Sequence, residues 1–277
     1  MATLRILFTR LRTEEKLLKE AAERLGIPCE LQNVSDTVFG GGPFCPANDV
    51  VLARCVSHNQ NEGVAQMLET QGITVVNSSR VMGICGNKLT TSAVLERAGV
   101  PQPKLSAFTP EGALEAVESL GYPAVCKPIS GSWGRLLAKI NDRESAEAIF
   151  EHKSMLGAIH NTFYIQEFVD KGSFDVRAFV VDGEPLCAIA RTSELDHRHR
   201  ARRLGLAALL LDDETASISF HTRRSAVSSS RWTFSRRTDW VVNEVNDGGE
   251  FRNSIAPRAK ISRSGSEAAW NRRRASL

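Results

Sequence analysis

No stretch of this 277-residue sequence approaches the ~18 consecutive apolar residues of a membrane span, so no membrane partner is expected. The opening MATLRILFTRLR reads as a short strand with basic flanks and shows no signal-peptide cleavage pattern. Six cysteines are scattered without a CxxC pair, and Cys55, Cys126 and Cys187 lie in apolar segments. Disulfides and zinc are therefore not expected; reduced, buried thiols in a cytoplasmic protein are. A GxxxxGK[ST] loop is also missing, which excludes a Walker A phosphate grip. What is present is ordinary for a globular chain: 42% hydrophobic and 24% charged residues.

The period of the apolar residues sets out the fold. Residues 4–8 read as a strand, and Leu17, Leu18, Ala21, Ala22 and Leu25 form one face of a helix over 13–25. Thr13 with Glu15 and Lys16 suits its capped start, and Gly26 its stop. Strands at 28–34, 49–53 and 73–76 with a helix near 61–70 make an open α/β domain with a parallel sheet. Asn87 caps a second unit, with helices over 88–98 and 110–120 and strands at 124–127 and 135–140. A helix at 142–151 and strands at 164–169, 176–184 and 185–191 follow, the last two turned at Asp182-Gly183. This is an α+β domain. Residues 195–240 lack periodicity, and a strand returns at 240–246.

Within this frame the segment GYPAVCKPISGSWG (121–134) is distinctive. A short apolar strand ends in Lys127, Pro128 stops it, and the loop Ser130, Gly131, Ser132, Gly134 follows. Lysine supplies a compact charge on a long stem, and small residues let backbone N–H groups approach an anion. Further along the chain come Lys88 at a domain boundary, Gln166 and Glu167 on a strand, Asp175 and Arg177, Arg191, then Glu244 and Asn246. Glu244 and Asn246 alternate on one strand and share a face, and their oxygens suit Mg²⁺.

The segments GNKLTTSAVLERAGVPQP (86–103), YPAVCKPISGSWGR (122–135), FYIQEFV (163–169), DVRAFVV (175–181), IARTSE (189–194) and VVNEVNDGGEFRNSIAP (241–257) carry a resemblance. Together with RTEEK (12–16) and ARCVS (53–57), they resemble the ATP-grasp ligases. The match is closest to the RimK-like branch and its α-aminoadipate–LysW ligases of lysine biosynthesis. The resemblance implies the ATP-grasp fold, α/β and α+β: an N-terminal domain over 1–85, a central or lid subdomain over 86–165 and a C-terminal subdomain over 166–277. It implies ATP and Mg²⁺ as cofactors. Lys88 and Lys127 would bind phosphates under the loop Ser130, Gly131, Ser132, Trp133 and Gly134. Gln166, Glu167, Phe168 and Val169 would hold adenine, with Asp175 and Arg177 in the nucleotide site. Arg191 would face the γ-phosphate as the catalytic arginine, Glu244 and Asn246 would hold the metal, and Asn253 and Ser254 would lie near the amino acid. The implied partners are a small acidic LysW-like carrier protein and α-aminoadipate or glutamate, in a homo-oligomer. A RimK-like protein–glutamate ligase and an inactive nucleotide-binding remnant stand as alternatives.

Residues 195–239 and 258–277 depart from this pattern. Fifteen arginines and one lysine of the 35 basic residues fall in 195–277. A basic arm for nucleic acid would need a fold or aromatics to present it. The paired His197 and His199 lack a second pair of metal ligands. GC-rich codons for Leu195–Leu206 with one base dropped read WITDTARGGSA, and Arg231–Asp239 at another offset reads VDVLETD. Both are what the family places there, so slips in the coding frame account for the arginines without a nucleic-acid partner.

Overall fold

The computed structural model describes residues 2–102, 105–131, 136–157, 160–170, 174–181, 184–195, 201–209, 229–236, 240–248 and 250–252. Two compact units result. One comprises Met1–Gly83, Val176–Arg231 and Asn246–Leu277; the other comprises Ile84–Asp175 and Trp232–Val245. Among the described residues, no helix is long and apolar enough to cross a membrane.

The first unit opens with β1 (Leu4–Phe8), α1 (Thr13–Arg24), β2 (Cys29–Asn33), β3 (Val50–Ala53), α2 (His58–Thr70), β4 (Thr74–Val76) and α3 (Ser79–Gly86). Its four strands pair in the order β2-β1-β3-β4, all parallel, as the strand–helix alternation predicts. Leu7, Val51, Leu68, Ile73, Val75 and Met82 form its core. Thr13 is the first helical residue of α1 rather than its cap. Arg12 holds the cap position, and its backbone N–H donates to Glu15 three residues on, at 2.9 Å. Asp49 anchors the entry to β3 by accepting from the Thr3 N–H at 2.9 Å and from Arg5 Nε at 2.7 Å.

The second unit contains α4 (Lys88–Arg97), β5 (Leu105–Ala107), α5 (Pro110–Leu120), β6 (Ala124–Lys127), β7 (Ala138–Ile140), α6 (Arg143–Ser154) and β8 (Phe163–Glu167). Thr109 caps α5 through the Gly112 N–H and Pro110 follows at its first turn, the arrangement in which proline's missing donor costs nothing. The antiparallel sheet runs β5-β8-β6-β7. One face packs on α5 and α6 through Ala113, Val117, Phe150, Phe163 and Ile165; the rings of Phe150 and Phe163 meet edge-on at 5.2 Å.

The chain continues through β9 (Phe174–Val181), β10 (Glu184–Leu195), β11 (Ala201–Leu209), β12 (Ser229–Arg236) and β13 (Trp240–Asn246). β10 and β11 pair antiparallel, from Ala188↔Leu209 to Leu195↔Ala201. Strands β11 and β12 fall in the segment whose letters show no period. The turn expected at Asp182-Gly183 lies outside the described residues.

Candidate active site

Strand parity builds the site. Ala124 and Cys126 of β6 are buried against the helices, as are Phe163 and Ile165 of β8. Alternate residues point the other way. Val125 pairs with Gln166 and Lys127 with Tyr164, so these four share the opposite face. Gln166 and Tyr164 are nonetheless buried, with about 3% exposure each.

Their polar groups form one chain of hydrogen bonds. The Ser92 and Tyr164 hydroxyls meet at 2.6 Å, and Gln166 Nε2 donates to the Tyr164 oxygen at 3.0 Å. Lys127 Nζ donates to Gln166 Oε1, and to Asn243 Oδ1 of β13 at 3.0 Å. Burial pushes the Tyr164 phenol up, although bonds to Ser92 and Gln166 oppose the shift. Two neutral oxygens thus help to aim the ammonium.

A second cation stands across the loop that follows β6. Asn87 caps α4, its Oδ1 accepting from the Leu89 N–H at 2.9 Å. Lys88 is the first helical residue. Its backbone N–H donates to Ile129 O at 2.8 Å, its Nζ donates to Gly131 O at 3.0 Å, and Asn87 bridges Ser130. Gly131 has φ of 106°, a left-handed conformation that glycine adopts without a Cβ clash. A lysine at a helix N-terminus runs against the macrodipole. Burial also lowers the Lys88 pKa, with Glu244 opposing the shift. The first N–H groups of α4 are already bonded, so the small-residue loop and an ammonium held against its preferences are what this corner can offer an anion.

The segment after β8 continues this face. The Phe168 N–H donates to Pro123 O at 3.2 Å, and Lys139 Nζ lies 4.1 Å from the centre of the Phe168 ring. Glu167 is exposed, Val169 half-buried, and Asp175 buried at the start of β9. Lys88, Lys127, Ser130, Gly131, Gln166, Glu167, Phe168, Val169, Asp175 and Glu244 all lie in the second unit; hydrogen bonds join Lys88 to Gly131 and Lys127 to Gln166, while Glu167, paired with Ala124, is on the other face. Arg177 lies on β9 and Arg191 on β10, in the first unit; the side chain of Arg191, and Ser132, Trp133, Gly134, Asn253 and Ser254, lie outside the described residues.

Three residues of the hydrogen-bonded chain escaped the sequence reading: Ser92, Tyr164 and Asn243. Tyr164 carried a usable signal, two residues before Gln166 on the same strand and so on its face. Asn243 acts through a contact 116 residues away, which no local pattern encodes.

Glu244 and Asn246 alternate along β13, as expected for a shared face. Asn246 Nδ2, an N–H donor, is buried with no hydrogen-bond partner among the described residues. The remaining described residues hold no cluster of three or more His, Cys, Asp or Glu side chains. A carboxylate and an amide oxygen are donor types that Mg²⁺ accepts.

Comparison with known proteins identifies the family. Residues 4–84 match the LysX preATP-grasp domain family and residues 85–230 the RimK-like ATP-grasp domain family, so 195–230 lies inside the matched span. The alpha-aminoadipate–LysW ligase LysX of Saccharolobus solfataricus is 31% identical over 254 residues, 88% of this chain and 92% of that protein. The glutamate–LysW ligase ArgX of Sulfolobus acidocaldarius is 28% identical over 260 residues, covering 87% and 88%. In fold, the chain is similar to a RimK domain ATP-grasp protein from Sphaerobacter thermophilus, with a TM-score of 0.72 at 23% identity over 91% of this chain and 94% of that one. It is also similar to D-alanine–D-alanine ligase from Bacillus anthracis, with a TM-score of 0.67 at 15% identity over 95% and 93%.

Proposed function

Because the chain belongs to the ATP-grasp ligases of the RimK-like branch, we propose that it joins the α-amino group of α-aminoadipate to a LysW-like carrier protein in lysine biosynthesis. Ligases of this family form C–N bonds using ATP and Mg²⁺. The carboxylate activated is the C-terminal glutamate side chain of the small acidic carrier. It attacks the γ-phosphorus of ATP, giving an acyl phosphate and ADP. The amine then displaces phosphate and leaves an amide.

In this reading Lys88 and Lys127 hold phosphate oxygens and offset the charge that spreads over them during transfer. The backbone at Ser130 and Gly131 closes over them, with Ser132, Trp133 and Gly134 completing the loop. Gln166–Val169 seats adenine, and Asp175 and Arg177 complete the nucleotide site. Arg191 faces the γ-phosphate, and Asn253 and Ser254 lie near the amino acid. Glu244 and Asn246 would hold Mg²⁺, which when bound draws charge from the β- and γ-phosphoryl oxygens. The observation that carries the reading is Lys88, a half-buried ammonium at the start of α4, tied to the loop after β6.

Glutamate is the second reading for the amine, favoured by the match to ArgX over a similar span. One methylene separates the two substrates and is worth about 1–3 kcal/mol of discrimination. Incubating the full chain with ATP, Mg²⁺, the carrier and each amino acid, then weighing the carrier, separates them. An α-aminoadipate adduct is expected. A glutamate adduct alone shifts the assignment to the second reading, and ATP binding with no adduct from either leaves a nucleotide-binding remnant.

A further inference from the structure

The first unit concentrates buried charge at the carboxyl ends of its parallel strands. Arg54 follows directly on β3, and α1 opens beside it with Glu14 and Glu15, about 1% and 0% exposed. Glu15 is saturated. It accepts from the Arg12 backbone N–H, from Arg12 Nη2 at 2.8 Å and from Arg54 Nε at 3.1 Å. Its neighbour is not. Among the described residues, Glu14 Oε1 receives the Arg252 N–H at a long 3.4 Å, with Arg252 Nε at 3.9 Å.

Two atoms are left over. Glu14 Oε2 and Arg54 Nη2 are both buried with no hydrogen-bond partner among the described residues. A buried charged group with an unused bonding site bears the full cost of losing water, and such groups in native proteins call for an explanation. The two are of opposite sign, and both elements adjoin Arg12, whose Nη2 donates to Arg54 O at 3.2 Å and whose guanidinium is stabilised by Glu14. In open α/β sheets, ligands lie outside the carboxyl ends of the strands, which is where this pair stands. Asp247 and Glu250 reach the same edge: Asn77 Nδ2 donates to Asp247 O at 2.6 Å, and Glu250 lies 3.7 Å from Arg12.

One acceptor and one donor of opposite charge match a zwitterion. We infer that Glu14 and Arg54 form a binding site for a free α-amino acid. The ammonium group pairs with Glu14 Oε2 and the α-carboxylate takes Arg54 Nη2. Naming that amino acid as the amine substrate rests on the ligase reading; the site itself rests on the two unpartnered charges.

Calorimetric titration of the full chain, without carrier, tests the site by binding alone. L-α-Aminoadipate and L-glutamate serve as ligands. Glutarate lacks the ammonium group, and 5-aminopentanoate lacks the α-carboxylate. The wild type is expected to bind at least one amino acid and neither analogue. Glu14→Gln, nearly isosteric, and Arg54→Lys, which keeps the charge but loses the planar fork, are each expected to weaken amino-acid binding at least tenfold. ATP affinity and melting temperature are recorded on the same samples. Amino-acid binding that is absent in the wild type, unchanged in both variants, or matched by the analogues overturns the inference. Loss of ATP binding in the wild type instead overturns the ligase reading, and the amino-acid titration then judges the site independently.

Discussion

The Gln166 amide gives its nitrogen to the Tyr164 hydroxyl at 3.0 Å and its oxygen to the Lys127 ammonium. Orientation of an amide is normally a free choice between two ends. Here the ammonium, which can only donate, requires the oxygen, and the Tyr164 hydroxyl accepts from the amide nitrogen at the other end. Tyr164→Phe keeps the ring and removes the hydroxyl, leaving Gln166 Nε2 and Ser92 Oγ short of a partner. The cost of such a loss is about 1–3 kcal/mol. ATP affinity is expected to fall roughly tenfold, an energy of about 1.4 kcal/mol, while Lys127→Met removes the charge outright and costs more. Calorimetry with ATP measures both; an unchanged Kd in Tyr164→Phe refutes the positioning role.

Glu244→Gln retains shape and removes the carboxylate charge on β13. The Mg²⁺ concentration for half-maximal nucleotide binding is expected to rise by at least about tenfold, the lower range found even for partners outside a metal's direct ligands. The substitution also removes the anion that favours protonated Lys88. Titrating Mg²⁺ at fixed ATP checks the first effect, and equal Mg²⁺ dependence in variant and wild type excludes Glu244 from the metal.

Acid sensitivity is expected to centre on Glu15. Burial alone would raise its pKa, yet bonds from Arg12 and attraction to Arg54 outweigh burial and hold it below its ordinary value of 4.5. A carboxyl depressed in the folded state binds fewer protons there than in the unfolded state. Its stabilisation is therefore complete above about pH 4.5 and disappears as pH falls through the lower folded value. Thermal melts from neutral pH to pH 3 are expected to drop more steeply in the wild type than in Glu15→Gln. Parallel curves would remove Glu15 from the account.

Cys126 is expected to be chemically silent. Burial pushes its thiol up to about 11, against a small opposing pull from Lys153, and it is 0% exposed. Thiolate is the reactive form. Brief alkylation of the native protein near neutral pH, followed by peptide mass analysis, should label the partly exposed Cys29, Cys85 and Cys187 before Cys126. Early labelling of Cys126 would contradict the packing of β6.

The coding DNA across codons 190–245 bears on residues 195–239. Frames that read WITDTARGGSA and VDVLETD are expected there, and alternative frames containing stops or unrelated residues would remove the slip explanation. Strand assignments for β11 and β12 within that span hold for the chain as it stands.

Helices were legible where an apolar stripe and a cap coincided: α5 runs from Pro110 to Leu120, as its proline start and amphipathic spacing predict. Strand β6 was legible because Pro128 ends it. The three-residue β5 was not, since three residues hold too little alternation to show a period, and its pairing with β8 decides it. In α1 the letters suggested Thr13 as cap, but Arg12 takes that position, its backbone N–H and guanidinium both donating to the buried Glu15. Lys127, placed between a short strand and a small-residue loop, could be read from the letters. Its alignment by Tyr164, Gln166 and Asn243 could not, because it depends on register between strands distant in sequence.

That register has an evolutionary corollary. Ala124 and Cys126 belong to the core and Val125 and Lys127 to the opposite face solely by odd and even position. One residue inserted within β6 would turn the Cys126 thiol toward the polar chain and drive an ammonium into the packing beneath α5 and α6. Change of length in this strand is therefore tolerable only in steps of two, a parity rule imposed on the gene by the pleat of a single sheet.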